Sequence, residues 1–208
     1  MSRGSDTHFY EPRAGHGLPH DPLAAIVAPR PIGWISTVDG NGRRNLAPYS
    51  FFNLFNYAPP ILGFASCGYK DTLRNAEQTR EFVWNLVTRS LAEPMNATSA
   101  TVGTDVDEFA IAGLTPVPSI KVRAPRVAES PVHFECRVTR IERLADAAGN
   151  ELSTWLVLGE VVGVHIARHL LDAGIYVTAA ALPVMRGGGR TDYFEIGSSA
   201  LFRMAQPR

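Results

Sequence analysis

Two long runs rich in β-branched residues, Val132–Ile141 and Thr154–Ile166, constrain this chain most. They are its longest strand candidates, and a turn segment, Ala145–Asn150, containing Gly149-Asn150, separates them. Long paired strands late in a chain suit a barrel that closes on itself. An earlier pair fits the same plan. Pro31–Val38 is β-branched and aromatic, Asp39-Gly40-Asn41-Gly42 is a strong turn former, and Asn45–Phe51 returns, so a hairpin is expected. Pro60–Ser66 reads as a third strand, nearly all apolar and buried on both faces. Asp71 is expected to cap a short helix, Thr72–Arg80, and Phe82–Val87 is a fourth strand. Ser90-x-x-Glu93 has capping-box spacing and opens a second helix, and Asp105–Phe109 suggests a third.

The βαβ alternation of a parallel sheet is missing, as are a repeat period and any dividing linker. The expectation is an α+β, mainly β chain. Residues 1–20 form a flexible arm or dimer-wrapping tail, and residues 21–208 a single barrel domain with peripheral helices. A chain of 208 residues, 45% hydrophobic, supports one well-buried core. Twenty basic residues balance twenty acidic ones, which argues against nucleic acid as a partner, since phosphate contacts need a cationic excess. No run of eighteen apolar residues predicts a membrane span. Met1–His20 lacks the apolar centre of an export signal, so a cytoplasmic location is expected. Cys67 and Cys136 then read as two free, mostly buried thiols.

Three near-motifs are set aside. Gly63-x4-Gly68-Tyr69-Lys70-Asp71-Thr72 lacks the adjacent Gly-Lys-Ser/Thr of a triphosphate loop. Phe64-Ala65-Ser66-Cys67-Gly68 puts Phe where a nucleophile elbow needs a tiny residue. His165 with His169, and His16 with His20 and Asp21, read as surface or capping groups, so no metal site is expected.

Several features between Arg30 and Val87 agree with one another. Ser36, Thr37, Ser50, Asn53, Ser66, Lys70 and Thr72 place hydroxyls, an amide and an ammonium at strand ends. A dianionic phosphate wants such donors beside a helix N-terminus. Trp34, Tyr49, Phe51, Phe52 and Phe55 offer flat surfaces suited to an isoalloxazine ring. A plain hairpin with core aromatics and ordinary helix caps would account for the same residues.

The segments Arg30–Val38 with Asn41-Gly42, and Asn45-Leu46-Ala47-Pro48-Tyr49-Ser50-Phe51-Phe52-Asn53, resemble the opening of the flavin reductase-like FMN-binding family. Further matches follow in order: Lys70–Asn75, Glu81–Val87, Asp107–Phe109, Gly113–Pro116, Glu129–Val132 and Leu158–Val162. The resemblance covers about residues 22–195. It implies an FMN-binding split β-barrel homodimer, with FMN near the dimer interface. By position, Ser66, Lys70 and Thr72 would face the phosphate, with Asp71 among the cofactor-binding positions. Trp34, Ser36 and Thr37 would lie along the ribityl chain or ring. Ala47, Pro48, Tyr49, Ser50, Phe51 and Asn53 would contact the isoalloxazine. Arg186 joins this set, although Arg186-Gly187-Gly188-Gly189-Arg190-Thr191-Asp192-Tyr193 departs in spacing from the family's Arg-x-Gly-Gly-x-x-Tyr-like segment. That departure leaves the roles of Arg186 and Tyr193 open.

The implied activity is that of an NAD(P)H:flavin oxidoreductase. NADH or NADPH would give a hydride to FMN, with no catalytic side chain needed because the cofactor carries the chemistry. A partner monooxygenase is a candidate user of the reduced flavin. Two alternatives need the same pocket: a carrier or oxidase with permanently bound FMN, and a flavin-binding module without turnover.

Overall fold

Seven strands hydrogen-bond in one antiparallel sheet: β1 (Gly33–Val38), β2 (Arg44–Tyr49), β3 (Phe52–Tyr57), β4 (Pro60–Cys67), β5 (Glu81–Asn85), β6 (Val132–Ala145) and β7 (Glu151–Ile166). The structure is a computed structural model and describes residues 6–207. The sheet order is β2-β1-β5-β6-β7-β4-β3. Strands β2 and β3 therefore stand at opposite edges, yet only Ser50 and Phe51 separate them in sequence. Three Cα–Cα steps span at most about 11 Å, so the edges must meet and the sheet must curl. Ala65 N of β4 donates to Phe51 O in this link at 2.8 Å, extending the β3–β4 ladder. Phe52 of β3 packs over Gly33 of β1, where any added Cβ would lie 2.7 Å from Phe52 Cδ2. The result is a split barrel.

The two expected long strands form its longest pair, running from Trp155 opposite Arg143 to Ile166 opposite Val132. Register shifts at Leu158/Gly159 and Val161/Gly163 bend this ribbon around the barrel. Asp146 closes the turn by accepting from Ala148 N and Asn150 N, both at 2.9 Å. In the β1–β2 turn, Asp39 accepts from Asn41 N and Arg43 N at 2.8 Å and from Arg43 Nε at 2.8 Å. The Arg43 hydrogen bonds hold its carboxyl at a pKa of about 2.

Strand β1 is buried on both faces. Ile35 joins Tyr49, Leu62, Phe64, Phe82, Cys136, Val138 and Val157 inside the barrel. Leu73 and Ala76 of helix α2 (Asp71–Thr79 in the full chain order, after α1, Leu23–Ile26) complete that core. Trp34 faces the other way, into a second core with Leu46, Met95 of α3 (Ala92–Ala97) and Phe109 of α4 (Glu108–Ile111). The chain's ends meet in a clasp. Strands β8 (Val184–Arg186) and β9 (Tyr193–Glu195) pair, and Arg30 and Pro31 pair with β8. Gly188 lies so close to the Ala25 backbone of α1 that no side chain fits between them. Arg30 adds bonds to Val27 O at 2.6 Å and Gly187 O at 3.2 Å.

Several expectations need correction. The returning strand stops at Tyr49, and Phe52–Tyr57 is a separate edge strand that the sequence reading did not assign. Asp71 is the first residue of α2 rather than its cap: Lys70 holds the N-cap position, no side chain caps it, and Asp71 pairs with Arg74 at 2.8 Å. The Ser90/Glu93 capping box does not form. Ser90 Oγ bonds Thr88 Oγ1 at 2.9 Å, a 3-10 turn occupies Arg89–Leu91, and α3 begins at Ala92. Asp107 does cap α4, accepting from Phe109 N at 3.0 Å. Cys136 is buried, but Cys67 ends β4 exposed. The first five residues of the expected arm lie outside the described residues; residues 6–20 contain one 3-10 turn, Pro12–Ala14. Among the described residues no helix is long and apolar enough to cross a membrane.

Gly159 sits on β7 against fully buried Phe82, whose Cζ would lie 2.7 Å from an added Cβ. Gly159→Ala should therefore destabilise the fold by about 1–3 kcal/mol, the range for overpacking a core. Urea unfolding monitored by tryptophan fluorescence checks it; an unchanged midpoint would refute the packing argument.

Candidate functional site

The barrel's closure point opens into a groove of about 470 Å³. One wall is the end of β2 and the link beyond it, Ala47, Pro48, Tyr49, Ser50 and Phe51; the floor carries Asn45, Lys70, Asp71 and Thr72; the loop after α3, from Thr98 to Val102 with Thr104, faces them. Ala65, Cys67 and Glu108 complete the lining. This volume lies within the range of about 300–1,000 Å³ usual for small-molecule sites.

One end of the groove is built of hydrogen-bond donors. Helix α2 starts there with its first amides uncapped by any side chain. Exposed Lys70 stands at that N-cap. Thr72, 1% exposed, accepts from Asn45 Nδ2 at 2.8 Å, which leaves its own proton to give. Tyr49, 7% exposed, has a buried hydroxyl with no hydrogen-bond partner, beside the Thr72 and Ser66 hydroxyls. Burial pushes the Tyr49 phenol pKa up and keeps it a neutral donor. Uncapped amides, a helix dipole, an ammonium and two hydroxyls together suit an anion. Phe51 of the lining is half exposed, with the Arg30 guanidinium 5.9 Å from its ring centre.

Of the residues singled out in the sequence, the groove gathers Ala47, Pro48, Tyr49, Ser50, Phe51, Lys70, Asp71 and Thr72. Strand alternation keeps the others off its lining. Trp34 is fully buried and donates to Thr98 Oγ1 at 3.0 Å, so it anchors the facing loop instead. Ser36 is buried against Pro125 O and Asn85. Thr37 lies beneath Asn45 and Asn75. Ser66 is buried and donates to Gly68 O at 2.9 Å. Asn53 is on edge strand β3, its Oδ1 accepting from Leu54 N at 2.8 Å. Arg186 donates to Asp192 O at 2.9 Å and Arg190 O at 2.8 Å and stacks on Tyr193, which holds the β8–β9 hairpin together. A second cavity of about 480 Å³ lies beside that hairpin, but its two arginines, Arg89 and Arg190, are balanced by Glu93 and Glu195.

The sequence reading missed Asn45, Glu108 and the loop from Thr98 to Thr104. The loop had a signal, since Thr98, Ser99, Thr101 and Thr104 concentrate hydroxyls just after a short helix. His165 is neither a surface nor a capping group: its Nε2 bonds the buried Glu135 Oε1 at 2.5 Å.

Glu108 is the one buried acid in the groove, 8% exposed, accepting from Leu46 N at 3.2 Å. Burial raises its pKa above 4.5, and Asp71 and Asp107 add to the shift against the backbone bonds that oppose it. The folded state thus holds this proton more tightly than the unfolded chain. Stability falls as pH climbs from 4.5 through the raised value. Glu108→Gln keeps an acceptor for Leu46 N and removes the charge. It should match the wild type in thermal unfolding at about pH 4 and become the more stable protein at about pH 8. A constant difference across pH would show that Glu108 does not titrate in this way.

The Flavin reductase like domain family matches residues 27–182. The chain is similar to an uncharacterized protein of Aquifex aeolicus, 36% identical over 174 residues, covering 81% of this chain and 85% of that one. Among solved structures it resembles nitrilotriacetate monooxygenase component B from Bacillus cereus, with a TM-score of 0.80 and 31% identity over 88% of this chain and 90% of that one. It also resembles a split-barrel chain of Shewanella frigidimarina assigned as a flavin reductase, with a TM-score of 0.81 and 25% identity over 97% and 100% of the two chains. A family match over most of the sequence, on a split barrel with a donor-lined groove at its closure, means that this chain belongs to the flavin reductase-like domain family.

Proposed function

We propose that the protein binds FMN in the groove and, as a homodimer, acts as an NAD(P)H:flavin oxidoreductase. The observation that carries this reading is the donor cluster at the groove's end. Buried Tyr49 Oη has no internal partner, Thr72 has a proton to give, and the α2 amides are uncapped. These are the groups that a flavin's terminal phosphate would satisfy. Bound FMN would supply the ring that accepts a hydride from NADH or NADPH. The chain's part is to hold and orient. Lys70, Thr72 and the α2 N-terminus would hold the phosphate, Ala47–Phe51 would contact the ring, and the loop from Thr98 to Thr104 would help exclude water. Similarity to a monooxygenase component supports a role in delivering reduced flavin to a partner monooxygenase.

Titration with FMN and riboflavin tests the site. Lys70→Ala should weaken FMN binding by about 1.5–3 kcal/mol, the range for hydrogen bonds to charged groups, and leave riboflavin unaffected. Equal weakening of both flavins would sink the phosphate assignment. Anaerobic NADH or NADPH should then bleach the FMN-loaded protein rapidly; slow or absent bleaching would instead indicate a flavin carrier, oxidase or binding module.

The homodimer rests on edge strand β3, which presents Leu54, Phe55 and Tyr57 at 40%, 57% and 86% exposure. Large apolar side chains left exposed on one strand are what a two-fold partner would bury. Light scattering of the FMN-loaded protein at micromolar concentration should give the mass of a dimer, and a monomer would contradict this part of the proposal.

A further inference from the structure

Beneath the donor end of the groove runs a short buried chain of side-chain hydrogen bonds. Asn45 on β2 lies directly across the hairpin from Thr37 on β1. Its Nδ2 donates to Thr72 Oγ1 at 2.8 Å and reaches Thr37 Oγ1 at 3.4 Å. Thr37 Oγ1 also accepts from Asn75 Nδ2 of α2 at 3.2 Å. All four residues are at most 6% exposed, so no solvent competes for these bonds.

The direction of the chain matters. An amide nitrogen has two hydrogens and no acceptor capacity, so both threonine oxygens must accept from Asn45. The Thr72 oxygen is thereby engaged from below, and its single proton is left for the groove above. Buried Tyr49 Oη lies beside it and beside the Ser66 hydroxyl, without a well-formed hydrogen bond of its own. A threonine anchored otherwise could turn its proton inward and present lone pairs, which would repel an anion.

We infer that Asn45 is a positioning residue for flavin specificity: by donating to Thr72 it commits the Thr72 proton to the ligand and makes the groove prefer a phosphorylated flavin to a dephosphorylated one. The inference rests on the reading that the flavin phosphate lies at this end. It adds a residue that acts through Thr72.

The test is a cycle of wild type, Asn45→Asp, Thr72→Val and the double variant, each titrated with FMN and with riboflavin. Asn45→Asp is nearly isosteric and replaces the donor with an acceptor, so the Thr72 proton should turn inward. The preference for FMN over riboflavin should then fall about tenfold or more, the weight of one hydrogen bond to a charged group plus the added repulsion. With Thr72→Val in place only the repulsion remains, so the same substitution should cost the preference several-fold less. Asn45→Leu, uncharged and of similar size, provides a second route if the acidic variant fails to fold. It should lower the FMN preference with Thr72 present and leave it unchanged once Thr72→Val is made. An effect of equal size in both backgrounds, or equal loss of FMN and riboflavin, would overturn the inference. A wild type that binds riboflavin as tightly as FMN gives a different pattern: it removes the phosphate reading itself, and the inference falls with it.

Discussion

The two residues Ser50 and Phe51 impose the constraint on which the rest of the structure depends. They join strands that occupy opposite edges of a seven-stranded sheet. A flat or gently twisted sheet of that order would hold its edges several strand spacings apart, each about 4.8 Å. The covalent link forbids this, so the sheet curls until its edges meet. Everything else adapts: the bulges that bend β7 over β6, the glycine at position 33 that admits Phe52, and the helix α2 that plugs the barrel with Leu73 and Ala76. The groove lies at the seam of that closure, and its lining follows β2 from Asn45 to Tyr49 and continues through Ser50 and Phe51.

The same geometry explains how far the sequence could be read. The hairpin around Asp39, the apolar run of β4 and the long β6–β7 ribbon were legible because each carries a local signal: turn residues, hydrophobic run or β-branched length. Sheet order was not legible from those signals, since it depends on which edges meet. The site was legible as a stretch but not as a surface. Strand alternation turns Trp34 and Ser36 to one side of β1 and Thr37 to the other, and neither side opens onto the groove. Trp34 nonetheless reaches the site at second hand through Thr98. Glu108 and Asn45 lie in family-like segments, but nothing there marks them as site residues, because their significance lies in burial and in hydrogen-bond direction, which exist only after folding.

The groove's charge pattern is mixed at short range. Donors converge at the α2 N-terminus, but Asp71 and Glu108 share the same floor. Asp71 is engaged by Arg74, while Glu108 relieves its burial by holding a proton more tightly. Recognition at the donor end therefore works through directed hydrogen bonds set close to acidic side chains.

The clasp of Arg30, α1 and the β8–β9 hairpin stands apart from this economy of closure. All seven barrel strands fall within residues 27–182, the portion matched to the family, whereas the hairpin lies past that limit. The shared architecture is thus finished before the chain adds its last turn back toward its own beginning. Gly188 fixes where that turn must land, because only a bare backbone fits against Ala25. The intervening residues, Arg190 to Asp192, are held by Arg186 and Gly189 within the hairpin itself, so this part of the chain is secured without drawing on a single barrel strand.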